Sequence, residues 1–164
     1  MSRDVLWYEA WRLVSASYLH IDGRHLTVNI ILATAFALTL ARLSGARWTL
    51  TVFWFSGWVA SAGATYLYEG WFLGSSASTF GLIGAICIQL GRLGRPGQRA
   101  GLFVGAIAII LAVSGGGHGG AHVLGFLCGL AMSMVKIYFR VYLWRATLTL
   151  ALLGLFCFVT NIVP

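Results

Sequence analysis

Apolar residues run along this chain in long unbroken stretches, separated by short clusters rich in arginine, glycine and histidine. Six stretches stand out, at residues 25–41, 48–68, 76–90, 101–114, 121–135 and 146–163. Runs without polar alternation predict helices, because the strands of a membrane barrel alternate apolar and polar positions. A helix needs ~20 apolar residues to cross a hydrocarbon core ~30 Å thick. The third, fourth and fifth runs are short for that span. Their ends are expected to extend into flanking glycine-rich stretches or to lie in thinned bilayer.

Composition sharpens the prediction. Of the 164 residues 59% are hydrophobic and only 9% charged, whereas a soluble domain carries about 25% charged residues. A water-soluble globule is excluded, and the length holds five or six spans with no separate soluble domain. A formal charge of +7 would raise the question of nucleic acid in a soluble chain. Here the basic residues fall between apolar runs, which fits membrane orientation and no nucleic-acid partner. Cys87, Cys128 and Cys157 each sit inside an apolar run without metal-ligand or CxxC spacing, as small packing residues do. No internal repeat is present, and mixed charges (Arg3, Asp4, Glu9, Arg12) precede any apolar core, so no cleavable signal peptide is visible.

The charges are lopsided. Arg42 and Arg47, then Arg92, Arg95 and Arg99, then Lys136, Arg140 and Arg145 occupy alternate connections that contain no acid. These connections are expected to face the cytoplasm. The other side holds Asp4, Glu9, Asp22 and Glu69 with Arg3, Arg12 and Arg24, and six spans then leave both termini outside.

Strongly polar side chains inside a span are costly and point to function. Here they are His25 and Asn29 on the first run, Ser76 opening the third and His122 opening the fifth. Counted at 1.5 Å per residue from the basic connections, they lie ~20 to ~26 Å up, all in the outer part of the bilayer. Each alone has an ordinary structural explanation: a hydroxyl bonded to its own helix, a satisfied histidine, or an asparagine joining two helices. Together they supply a nucleophile, a base and two oxyanion donors, the parts acyl transfer needs. No Asp or Glu lies within a run, which argues against a carboxylate-based transporter, as does the lack of repeated halves.

These residues carry a resemblance. Trp11-Arg12, His20 and the segment from His25 to Asn29 are similar to the first block of the rhomboid family of intramembrane serine proteases. Gly74-Ser75-Ser76-Ala77, followed by Phe80 and Gly84, resembles the second, and Gly120-Ala121-His122 with Gly125 and Gly129 the third. The resemblance implies that Ser76 is the nucleophile and His122 the general base of a dyad, with His25 and Asn29 stabilising the oxyanion. It assigns Trp11 and Arg12 to a membrane-embedded loop and makes His20 a structural residue of that loop. His118 has no counterpart in the motif. Gly125 and Gly129 form a GxxxG on the face of His122, which favours close helix approach, Gly84 removes bulk near the face of Ser76, and Phe80 is placed to pack on His122.

The implied protein is an all-α polytopic membrane protein, a rhomboid-like bundle of about six transmembrane helices forming a single domain over 1–164. Residues 1–24 are expected to form the external or interfacial loop, 25–135 the catalytic core and 146–163 an extra C-terminal helix; the family's usual first span does not precede the loop in this sequence, either because the spans are arranged differently or because the sequence starts late. Ala77 stands where the family most often has Gly, which leaves the backbone there less free. The expected activity is serine-type endopeptidase cleavage in or near a substrate's transmembrane segment. No metal or cofactor is implied, and the partners are a transmembrane protein substrate and the lipid bilayer. The expected location is a bacterial inner (plasma) membrane, with the active site opening to the external or periplasmic side. The alternatives are an inactive rhomboid-like protein that binds transmembrane helices and a sorting-type rhomboid that trims C-terminal anchors.

Overall fold

The structure, a computed structural model, describes residues 8–9, 11–67, 74–114 and 119–139. The expected helix at 146–163 and His118 lie outside the described residues. Among the described residues there are six α-helices and no strand. They are α1 (Trp11–Ser15), α2 (Gly23–Ser44), α3 (Ala46–Leu67), α4 (Ser76–Gly91), α5 (Arg95–Ser114) and α6 (Gly119–Tyr138), with a 3₁₀ turn (Ala16–Tyr18) after α1.

Local chemistry sets the ends of these helices. Asp22 caps α2, its carboxylate accepting the backbone N–H of His25 at 2.7 Å. Gly45 closes α2 at φ +89°, its N–H donating to the Ala41 carbonyl at 2.8 Å, and α3 starts at the next residue. Gly94, at φ +84°, ends the turn into α5. That helix begins earlier than its apolar run, at Arg95, because Pro96 is tolerated in a first turn where its missing N–H has no intrahelical partner. The fourth run thereby becomes a helix of 20 residues, and the fifth, running from Gly119 to Tyr138, is equally long.

The third run behaves differently from the expectation. Helix α4 keeps 16 residues, ten of them buried, and it packs against α2, α3, α5 and α6. At ~1.5 Å per residue it is too short for the hydrocarbon core, but its flanks meet protein rather than lipid, so neither extension nor a thinned bilayer is required.

Its tightest neighbour is α6. A Cβ on Gly125 would overlap the Ala77 carbonyl oxygen, one on Gly129 the Gly81 carbonyl oxygen, and one on Gly84 the Phe126 carbonyl oxygen. The two backbones therefore touch directly, an approach only small residues permit. Below this contact Leu40, Val52, Leu82, Ile86 and Met132 form a buried core drawn from four helices. Lys136 fastens the same end: its ammonium donates to the Ser44 carbonyl at 3.1 Å and lies 4.6 Å from the Trp48 ring centroid.

The outer surface is apolar. Val28, Ile31 and Leu38 on α2 and Leu102, Phe103, Ile110 and Val113 on α5 are exposed. Three helices, Gly23–Ser44, Arg95–Ser114 and Gly119–Ile137, are long and apolar enough to cross a membrane. Large apolar side chains exposed along such helices suit a lipid environment.

Candidate active site

The site begins at a turn. Gly74 adopts φ +99°, a conformation that L side chains rarely take, and its N–H donates to the Ala16 carbonyl at 2.9 Å. This bond ties the entry of α4 to the N-terminal 3₁₀ turn. Ser75 is the N-cap residue, and its side chain makes no capping hydrogen bond. Ser76 is thus the first residue of α4, where the opening amide N–H groups have no intrahelical acceptor and the helix dipole is positive.

His122 lies in the first turn of α6. The close α4–α6 approach sets its Nε2 2.9 Å from the Ser76 hydroxyl oxygen, within hydrogen-bond reach. Phe80, one turn after Ser76, stacks on the imidazole with centroids 4.5 Å apart and planes 15° from parallel. The ring is held flat on one side while its edge faces the hydroxyl. Both members of the pair are half-buried.

Helix α2 contributes the second group. The His25 ring meets the His20 ring edge-on, with centroids 5.2 Å apart, and both abut Gly74. A Cβ at Gly74 would lie 3.1 Å from His25 Cε1 and 3.4 Å from His20 Cδ2. His25 therefore sits beside the turn that delivers Ser76. Asn29 follows one turn along α2 and is only 5% exposed. Its Nδ2 has no hydrogen-bond partner, nor do His25 Nδ1 and His20 Nε2, while His20 Nδ1 is 3.2 Å from the Tyr18 carbonyl oxygen. Buried polar groups left unpaired cost about 1–3 kcal/mol each, so these atoms call for a partner such as water or a bound ligand.

Trp11 and Arg12 stand apart from this pair of clusters. Helix α1 rests on α3, the Arg12 guanidinium lies 4.9 Å from the Trp11 ring centroid, and its Nε pairs with Glu9. Asp22 is the residue that sequence reasoning missed, since it was counted only as an external charge. An Asp three residues before His25, at the start of an apolar run, is an N-cap signal that could have found it.

In chemical terms the site offers a hydroxyl joined to an imidazole, uncapped helix amides beside the hydroxyl, and an unpaired buried carboxamide on the neighbouring helix. A match to the family described as Rhomboid domain covers residues 8–139, well over half of the chain. The chain belongs to the rhomboid family, and with its apolar helices it is an integral membrane protein. Comparison with curated proteins gives no match.

Proposed function

We propose that this protein is an intramembrane serine endopeptidase that cleaves peptide bonds in or near the transmembrane segments of membrane-protein substrates. The observation that carries this reading is the 2.9 Å contact between Ser76 Oγ and His122 Nε2 in a member of the rhomboid family. With the imidazole protonated at Nδ1, the serine hydroxyl donates to Nε2. Ser76 Oγ attacks the scissile carbonyl carbon while its proton passes to Nε2. The resulting oxyanion is met by the first amides of α4 and by the side chains of Asn29 and His25. The C–N bond then breaks, His122 returns the proton to the leaving amine, and Ser76 holds the acyl group. Water, deprotonated by His122, attacks the ester. The carboxyl product leaves and the serine regains its proton. In this reading the site opens to the external face of a bacterial inner membrane, because Ser76 and His122 lie at the helix ends opposite the arginine-bearing connections.

Ser76→Ala and His122→Ala are expected to abolish cleavage of a model transmembrane substrate, with each variant remaining folded in detergent. A serine-reactive phosphonate should label wild type at Ser76 alone. Cleavage retained by Ser76→Ala removes the assignment. A protein that binds the substrate helix, resists the probe and never cuts is instead the inactive binding relative.

A further inference from the structure

At the end of the bundle away from Ser76, a small cleft opens between the last turn of α2 and the turn joining α4 to α5, lined by Leu43, Gln89, Arg92 and Leu93. We infer that this cleft binds the phosphate of an anionic phospholipid headgroup, with the Arg92 guanidinium as its principal donor.

The turn that carries the arginine is pre-set. Arg92 N–H donates to the Gln89 carbonyl at 3.2 Å, Leu93 N–H to the Leu90 carbonyl at 2.9 Å, and Gly94 takes φ +84°. A Cβ on Gly97 would overlap the Leu90 carbonyl oxygen, so the start of α5 is pressed on the end of α4 and the turn has little room to move. The Arg92 side chain is itself oriented, since its Nη1 donates to Gln89 Oε1 at 3.2 Å. Gln89 is only 4% exposed, and its Nε2 has no partner. The buried amide thus holds an exposed guanidinium in place, and that guanidinium keeps further N–H groups for an anionic acceptor.

No counter-charge for this arginine comes from the described residues. Among the described residues the acids are Glu9, paired with Arg12, and Asp22, capping α2, and both belong to the Ser76 end. Arg92 has no carboxylate partner among the described residues, and Arg42, Arg47, Arg95 and Arg99 at the same end are all cationic and exposed. Leu93 is 62% exposed and Leu43 half-buried, so the cleft pairs an oriented guanidinium with apolar walls. A diacyl phosphodiester matches that pairing, phosphate on the arginine and glycerol–acyl carbons along the leucines. Free phosphate matches only the first half.

The test uses the full chain in neutral detergent, titrated with phosphatidylglycerol, with phosphatidylcholine or with inorganic phosphate, and lipid retention is read by native mass spectrometry. Phosphatidylglycerol is expected to be retained over phosphatidylcholine, with inorganic phosphate neither retained nor competing at equal concentration. Arg92→Ala should weaken retention by about tenfold or more, as loss of a charge-assisted bond does. Arg92→Lys, which keeps the charge without the fork, should fall between, and Arg99→Ala should match wild type. Equal retention by wild type and Arg92→Ala overturns the site. Equal losses in Arg92→Ala and Arg99→Ala reduce it to diffuse charge, and competition by inorganic phosphate makes it a free-anion site. Both results overturn the lipid assignment. The readout is independent of proteolysis, so the proposal stands or falls apart from the catalytic reading.

Discussion

A serine hydroxyl attacks a peptide carbonyl only if its proton leaves as the bond forms and the new oxyanion meets donors already aimed at it. In the proposed mechanism Asn29 is such a donor, since its buried Nδ2 is otherwise unpaired. Removing one donor of this kind costs ~10²–10³ in kcat. Asn29→Ala should therefore lower kcat by that factor with KM little changed, in steady-state assays on a transmembrane substrate. A rise in KM at unchanged kcat would make Asn29 a substrate contact instead. Gly74→Ala acts one step removed, because it must both strain a backbone at φ +99° and push against the His25 and His20 rings. It should lower kcat together with thermal stability, whereas Asn29→Ala should leave the melting temperature close to wild type. His25, Asn29, Ser76 and His122 stand out in the sequence because intramembrane polarity is expensive and each lies within an apolar run or at its edge. Gly74 stands in the sequence only as part of the block around Ser76, and Asp22 only as an external charge. One works through a backbone angle and the other by capping a backbone N–H, so how each builds the site is seen only in the folded chain.

At the scale of elements, glycine decides how near α6 comes to α4, and with it whether His122 reaches Ser76. A Cβ on Gly129 would overlap the Gly81 carbonyl, and backbone cannot swing aside as a flexible side chain can. Gly129→Ala is expected to destabilise the bundle by about 1–3 kcal/mol, the usual cost of overpacking, and to lower the rate by widening the dyad. Gly91→Ala provides the contrast, because a Cβ there meets nothing within 4 Å. It should be neutral or stabilising by up to about 1 kcal/mol through reduced backbone freedom. Denaturation in detergent of the two variants compares them directly, and equal effects would detach the α4–α6 contact from stability. The GxxxG spacing announced this contact in the sequence, but the brevity of α4 was open to a wrong explanation. Hydropathy counts apolar residues without knowing what covers them, so a helix enclosed by four neighbours looks like a span that is too short. The reach of α5 back to Arg95 was equally hidden, since a basic residue followed by Pro96 resembles a loop until the first turn is seen to tolerate both.

For the whole molecule the polar and basic ends are opposite. The Asp22 cap, His25, Ser76 and His122 lie at one end of their helices, while Arg42, Arg47, Arg92, Arg95 and Lys136 lie at the other. Basic connections are retained on the cytoplasmic side, so the end bearing Ser76 and His122 is expected to face outward, where water could reach the acyl-enzyme of the proposed mechanism. Four helices, α2 to α5, alternate direction between these ends, and this makes the orientation testable at single positions. In a background with Cys87, Cys128 and Cys157 replaced by alanine, cysteine at Ile21, which is exposed, should react with an impermeant maleimide from the outside of intact cells. Arg47→Cys and Arg95→Cys, both at exposed positions, should react only after the membrane is opened. Labelling of all three from one side would break the alternation itself. The opposite pattern, Arg47→Cys and Arg95→Cys labelled in intact cells, would keep the bundle but invert it, and the water that hydrolyses the acyl-enzyme would then have to come from the cytoplasm.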